Sequence, residues 1–235
     1  MIGEVDAKFV ARWELAGVGG VVVAVDVLRA FTTAAYAFAA GAAEIWLAAE
    51  VDEALALARQ LPNALVLGED QGRRPPGFDF ANSPVAIATA QLAGRVPVQR
   101  TSAGTRGVLA AVDADEIYAA SLVNASATAE AVARHGEGPP TYVVTGRFPD
   151  HPNGGDDDLL TAQLIERARL GEPLQSAETA RRVAASREAG VTLALGGDDV
   201  HPDDVAFATA VDRFRFAMRV QRVDGLMRLV REDVS

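Results

Sequence analysis

The stretch Val21-Val22-Val23-Ala24-Val25-Asp26-Val27-Leu28-Arg29-Ala30-Phe31-Thr32-Thr33 decides the fold. Its opening residues are apolar and mostly β-branched, with no polar alternation, as in a strand buried on both faces of a parallel sheet. An Ala-rich helical pattern follows from about Arg29 to Ala40, and Gly41 stands where a left-handed cap can close it. A strand running straight into a helix is a crossover unit, and its strand needs a parallel neighbour.

The same rhythm recurs outward from there. Glu44 to Ala48 reads as a strand before a helix over Asp52 to Leu61. Ala64 to Leu67 is a strand that ends in the loop Gly68 to Ser83, and Pro84 marks a helix start. Val96 to Arg100, Glu116 to Ala120 and Thr141 to Thr145 are further strands, each leading through a polar segment into a helix. Long helices are expected over Asp157 to Leu170 and Ala177 to Ala189. The final segment differs: Phe214, Phe216, Met218 and Val220 alternate with Arg215, Ala217, Arg219 and Gln221, and Asp224-Gly225 signals a hairpin before Leu226 to Val230. The fold expected is α/β, a three-layer α/β/α domain over residues 1–235, with a mixed, mostly parallel sheet and a C-terminal antiparallel ribbon. That ribbon is placed on one edge, where Phe214 and Phe216 can pair with or be covered by a second copy, giving a homodimer.

Composition narrows the function classes. The chain has 235 residues, 49% hydrophobic and 23% charged, enough for a sizeable core. With 22 Lys and Arg against 32 Asp and Glu, its net charge of −10 opposes general nucleic-acid binding. The lack of cysteine removes disulfides, thiolate metal sites and cysteine nucleophiles. His135, His151 and His201 have no paired metal-ligand spacing. The start, Met1 to Asp6, carries acid where a signal peptide carries base, and the longest apolar tract, Val18 to Val27, is too short and interrupted to span a bilayer. A cytoplasmic protein with no membrane or nucleic-acid partner is expected.

In open α/β sheets the ligand crevice lies beyond the carboxyl ends of the strands. The unusual polar residues fall there: Asp26, Arg29, Thr32 and Thr33; Gly68-Glu69-Asp70; Arg100 to Arg106; Ser121 and Asn124; Thr145-Gly146-Arg147, then Asp156-Asp157-Asp158. Carboxylates with nothing softer beside them suit Mg²⁺, while hydroxyls, backbone N–H groups and guanidinium forks suit a phosphate or sulfonate. The set describes a phosphoryl site. Each piece also has a structural reading: the acidic triplet fits a helix start through the macrodipole alone, and Thr101 to Thr105 fits a turn with a cap. Gly17 to Gly20 precedes the first strand, so it is no dinucleotide loop.

At these residues the sequence resembles the 2-phosphosulfolactate phosphatase family, the coenzyme M biosynthesis protein B type. The matching blocks are Val25 to Thr33, Gly68-Glu69, Gly77-Phe78-Asp79 with Asn82-Ser83-Pro84, Thr101 with Gly104-Thr105-Arg106, Ser121 to Ala125, Gly146, and Asp156-Asp157. Weaker similarity continues through Ser186 and Asp204-Val205. The resemblance implies a Mg²⁺-dependent phosphomonoesterase that hydrolyses 2-phosphosulfolactate to sulfolactate and phosphate. Asp26, Arg29, Glu69 and Asp157 become the implied catalytic residues, and Asp26, Glu69, Asp156 and Asp157 the implied metal carboxylates. Thr32, Thr33, Asn82, Ser83, Thr101, Gly104, Thr105 and Arg106 become implied substrate contacts.

Three departures bear on substrate identity: Ala103 stands where the family commonly has Asn, Phe31 where it has Ala or Thr, and Asp156 where it has Glu. Phe31 would narrow the pocket. Direct attack by a carboxylate-oriented water and a covalent phosphate on Asp26 both remain open. So do a phosphatase acting on another small phosphorylated acid and a non-catalytic phospho-ligand binder. For a sulfonate or carboxylate on the substrate, Arg73, Arg74, Arg100 and Arg147 are candidate donors.

Overall fold

The protein is described by a computed structural model covering residues 7–135 and 138–234. The acidic start over residues 1–6 lies outside the described residues. Strand β1 (Lys8–Val10) is followed by β2 (Val21–Val25), the strand that opens the quoted stretch, and then by α1 (Ala30–Ala39). Next come β3 (Glu44–Ala48), α2 (Val51–Ala58), β4 (Ala64–Gly68), the two-residue β5 (Phe80–Ala81) and α3 (Pro84–Ala88). Then follow β6 (Val96–Arg100), α4 (Gly104–Leu109), β7 (Glu116–Ala120), α5 (Ala125–Arg134) and β8 (Thr141–Val144). The chain continues through α6 (Asp156–Arg169), α7 (Ser176–Ala184), α8 (Arg187–Leu195) and α9 (Asp204–Ala208) to the hairpin β9 (Phe216–Val223) and β10 (Leu226–Asp233).

These strands form one sheet in the order β1-β8-β2-β7-β9-β10-β3-β6-β4-β5. The pairings among β1, β8, β2 and β7 are parallel, as are those among β3, β6, β4 and β5. The hairpin joins the two groups: β9 runs antiparallel to β7, with Tyr118 opposite Arg219, and β10 antiparallel to β3, with Ile45 opposite Leu229. The ribbon expected on an edge is therefore the centre of the sheet. Its alternation is real, but the outward positions of an edge strand would be solvated, whereas Phe216, Ala217 and Met218 are all buried. Phe216 is buried and the half-buried Phe214 stacks on it with ring centroids 5.4 Å apart, so neither ring stands on a free sheet edge.

Through this ribbon the two parallel groups run in nominally opposite directions. Strand twist of roughly 20–25° per pair rotates them by on the order of 100° across the five steps from β2 to β6. Loops beyond β2 and β6 can thus meet, and they do so around Asp26.

Side-chain alternation on the strands builds three layers. Val22 and Ala24 of β2, Ile45 and Leu47 of β3, and Leu65 and Leu67 of β4 face a core that holds α1. That helix is buried from Ala30 to Phe38, because AFTTAAYAFA carries no charge on any face and so has nothing to offer solvent. On the other face, Val23 and Val25 meet Ala129 and Val132 of α5 and Leu164 and Ile165 of α6, while Trp46, Val66 and Val98 pack under Leu57 of α2. Phe31 is fully buried in the α1 core, so it fills interior volume and does not narrow a pocket.

The helix expected over Ala177 to Ala189 is two helices. Ser186 interrupts it, its Oγ accepting from the Ala189 N–H at 3.1 Å as the cap that starts α8. Side-chain pattern alone does not show such a break, because Ala, Arg and Glu are good helix formers on both sides of it.

Candidate functional site

A cleft of about 360 Å³ opens where the loops after β2, β4, β6 and β8 converge under α8. Asp26 and Arg29 from the first loop, Glu69 from the second, Ala103 from the third and Gly146 from the fourth line it. Asp157 and Asp158 at the start of α6 line it too, and α8 supplies Arg187, Glu188, Val191, Thr192 and Leu195 as its far wall.

Asp26 directly follows β2, and its carboxylate turns back onto the helix it precedes. Oδ1 accepts from the Ala30 N–H at 2.8 Å, a cap made from four residues upstream. Across from it, a Cβ on Gly104 would stand 2.6 Å from the Ala30 Cβ and 2.7 Å from Asp26 Oδ2. Only glycine lets the loop after β6 close on the carboxylate.

Asp158 ties the site together. Its Oδ1 accepts from the Val27 N–H at 2.9 Å and its Oδ2 from the Gly146 N–H at 2.8 Å, joining the loops after β2 and β8. Thr145 Oγ1 lies 3.0 Å from the Val25 carbonyl and 3.2 Å from both Asp26 Oδ2 and Asp158 Oδ2. One hydroxyl hydrogen cannot serve three acceptors, so one acid of the pair is satisfied at Thr145 only when it carries its own proton.

The electrostatics agree. Burial raises the Asp26 carboxyl to about 6, and nearby Glu69 adds to the rise against the hydrogen bonds from Ala30 and Thr145. Asp157 is pushed up to about 8, first by burial and then by Glu188 and Asp26. Burial lifts Asp158 well above the usual carboxylate range, helped by Asp157 and Asp26. Three buried carboxyls each disfavour the charge of the others, an arrangement that a cation or retained protons relieve.

Glu69 is held differently. Its Oε1 accepts from the Ser102 N–H at 2.5 Å, and its Oε2 from the Gly72 N–H at 2.6 Å and the Ser102 hydroxyl at 2.9 Å. Gly68 before it has φ 135°, and a Cβ there would come within 1.8 Å of the Arg100 carbonyl oxygen. Arg29, almost fully buried, donates to Asp204 Oδ2 at 3.0 Å, to the Asp199 carbonyl at 2.8 Å and to the Gly72 carbonyl at 3.4 Å. Asp204 also accepts from the Ser83 hydroxyl at 2.7 Å and the His201 N–H at 3.0 Å.

The cleft thus brings together Asp26, Arg29, Glu69, Asn82 and Asp157 of the residues expected from sequence. The others stand behind or outside it. Asp156 is exposed and turned into a separate surface groove, because successive helix positions are about 100° apart and Asp157 and Asp158 take the inward face. Thr32 is buried, its Oγ1 2.7 Å from the Val27 carbonyl and 2.7 Å from Ser121 Oγ, and Thr33 is buried beside it in α1. Thr101 and Thr105 bond to each other across the start of α4, the Thr105 N–H donating to Thr101 Oγ1 at 3.0 Å. Ser83 caps α3 and donates to Asp204. Arg106 pairs with Glu50 at 2.7 Å, near the protein surface.

Sequence reasoning does not single out Glu188, Arg187 or His151 as site residues, and it places Thr145 and Asp158 at the crevice without giving either a role. Asp158 carries a signal as the third acid of its triplet; Arg187 and Glu188 are hidden inside what reads as one continuous helix.

Among the described residues, no three His, Asp or Glu side chains form a ready-made metal cage. The donor set still fits a hard cation that keeps most of its water, since Mg²⁺ is commonly held by one or two carboxylates together with substrate oxygens. No helix among the described residues is long and apolar enough to cross a membrane.

The family model for 2-phosphosulpholactate phosphatase matches residues 10–193. A protein of Bacillus subtilis (strain 168) named probable 2-phosphosulfolactate phosphatase is 31% identical over 204 residues, 86% of this chain and 87% of its own. One of the same name from Parasynechococcus marenigrum (strain WH8102) is 32% identical over 190 residues, 80% of this chain and 75% of its own. Another, from Thermus thermophilus, is 37% identical over 146 residues, 62% of this chain and 60% of its own.

Proposed function

The chain belongs to the 2-phosphosulfolactate phosphatase family, a family of phosphoric monoester hydrolases, and from that premise we propose that it hydrolyses 2-phosphosulfolactate to sulfolactate and phosphate with Mg²⁺. The observation that carries the proposal is the trio Asp26, Asp157 and Asp158, buried around one end of the cleft with every carboxyl raised by the others or by burial. Such a cluster is costly without a cation, and phosphoryl transfer uses one.

Mg²⁺ held by Asp26 and Asp157 would supply Lewis acidity toward a phosphoryl oxygen and offset its charge. The chain's own groups do the rest. Arg29, fixed by Asp204, presents a guanidinium edge to the phosphoryl oxygens, and the Asn82 amide lines the same wall. Asp157 orients the attacking water and accepts its proton as the water oxygen bonds to phosphorus and the ester P–O bond breaks; the departing alcohol oxygen takes a proton from cleft water. Asp158 positions both loops and touches no substrate. Asp26 has Oδ1 committed to Ala30, which favours a ligand role over that of a nucleophile.

Ala103 lines the cleft where an amide is commonly present in the family, and that single position favours a second reading, a phosphatase for another small phosphorylated acid. The test is phosphate release from racemic 2-phosphosulfolactate beside phospholactate, phosphoglycerate and para-nitrophenyl phosphate, with Mg²⁺ and with EDTA. Mg²⁺-dependent preference for phosphosulfolactate is expected. Better turnover of another ester would transfer the function to that acid, and turnover unaffected by EDTA would remove the cation.

A further inference from the structure

Any phosphomonoester can offer its phosphoryl group to the Asp26 end of this cleft; the rest of the molecule must be read by the opposite wall. Two guanidinium groups line the cleft, Arg29 and Arg187. The charge of Arg29 is already balanced by Asp204, whose carboxylate is fully buried against it. Arg187 is placed otherwise. It stands in the first turn of α8, and its hydrogen-bond partner among the described residues is Nε2 of His151, an imidazole nitrogen rather than a carboxylate oxygen.

Neighbouring acid does not neutralise it. Glu188 lines the same cleft, but its Oε1 accepts from the Gly155 N–H at 3.1 Å and it forms no ion pair with Arg187 among the described residues. Nor do the arginines suggested by sequence compete for the role. Arg100 is engaged by Asp70 and the Glu69 carbonyl, at 2.8 and 2.6 Å, and Arg147 donates to the Phe9 carbonyl at 3.0 Å. Arg73 pairs with Asp199 at 3.2 Å, and the Arg74 guanidinium reaches the Phe78 carbonyl at 3.5 Å. In a chain of net charge −10, a cleft arginine held by an imidazole rather than a carboxylate is a cation kept for an incoming anion.

Resting on the phosphatase reading above, we infer that Arg187, backed by His151, is the specificity-determining residue of this cleft and holds a second anionic group, a sulfonate or carboxylate, on the phosphoester. Leu28, Phe148, Val191 and Leu195 enclose the space between the two ends, and a cleft of about 360 Å³ suits a small acid. Selection is therefore for compact phosphoesters that carry a further strong anion.

The experiment measures kcat and KM of the full chain, Arg187→Gln and Arg187→Lys on three esters: 2-phosphosulfolactate, with sulfonate and carboxylate; 2-phospholactate, with carboxylate alone; and para-nitrophenyl phosphate, with neither. Arg187→Gln is expected to raise KM for phosphosulfolactate about 30-fold with kcat nearly intact, and Arg187→Lys to recover part of the loss. The loss for para-nitrophenyl phosphate is expected to be at least about tenfold smaller. A KM loss shared with phospholactate assigns the carboxylate to Arg187; one confined to phosphosulfolactate assigns the sulfonate. Equal effects on all three esters, or none, would overturn the inference. Should the unaltered protein turn over none of them, the proposed function fails, and calorimetric titration with sulfolactate decides the subsite separately: about 30-fold weaker binding by Arg187→Gln sustains it, and unchanged binding removes it.

Discussion

Replacing Asp204 by Asn removes one charge and almost no volume from the most enclosed contact of the site. The carboxylate accepts from Arg29, Ser83 and the His201 N–H, and neither partner of its ion pair with Arg29 is more than 3% exposed. Asp204→Asn leaves the Arg29 guanidinium buried without its counter-charge, a loss of about 3–5 kcal/mol. For a chain of this length that lowers Tm by roughly 6–20 °C. Since Arg29 also lines the cleft, kcat/KM should fall at least about tenfold as the guanidinium drifts from its position. Thermal melts by circular dichroism and phosphate-release assays read the two effects. The double variant Arg29→Met with Asp204→Leu separates them: an apolar pair of similar volume should restore most of the stability and none of the activity. A Tm shift below about 2 °C for Asp204→Asn, or a double variant no more stable than the single one, would refute the reasoning.

Further outcomes follow from the carboxyl cluster and its surroundings. Asp26 and Asp157 titrate higher in the folded chain than in the unfolded one, so the fold retains their protons; that contribution is full below the ordinary carboxylate range and is lost as pH rises through about 6 and about 8. In EDTA, urea midpoints should show Asp26→Asn overtaking the unaltered protein by about 3 kcal/mol near pH 8, with the gap closing toward pH 4. Added Mg²⁺ should stabilise only the unaltered protein. Asp157→Asn should lower phosphate release at least about 100-fold, whereas Asp156→Asn should leave it within about twofold, and the reverse order would invert the inward face assigned to α6. Gly104→Ala should cost about 1–3 kcal/mol and most of the activity, because its Cβ would stand 2.7 Å from Asp26 Oδ2; a fully active, equally stable variant would contradict that contact.

What the sequence discloses, and what it hides, has a common physical cause. Strands buried on both faces announce themselves by composition, so Glu44–Ala48, Val96–Arg100 and Glu116–Ala120 are bounded correctly from pattern alone. The hairpin β9–β10 is equally legible as an element, but strand order depends on pairing partners far away in the chain, which no local pattern encodes. At the site, Asp26 stands out because a carboxylate closing an apolar run is locally anomalous, whereas Glu69 and Asp157 are marked by their place beyond strand ends and by the family resemblance. Thr32, Thr33, Thr101 and Thr105 share those loops, yet their hydroxyls are taken up by neighbouring hydroxyls and backbone or turned into the interior, a distinction of direction rather than of sequence. Arg187 and His151 come together only because Ser186 breaks a helix and swings α8 over the cleft.

The central hairpin also governs the order in which this molecule can assemble. Until Phe216–Asp233 has left the ribosome, β7 and β3 each present an unsatisfied row of backbone groups, and no strand pairing joins the half bearing Asp26 to the half bearing Glu69. The nascent chain is thus two separate sticky sheets, exposed to self-association through most of its synthesis. Closure by pairings of such long sequence separation is intrinsically slow, and catalytic competence arrives as the last event of folding, when one late ribbon stitches the halves together.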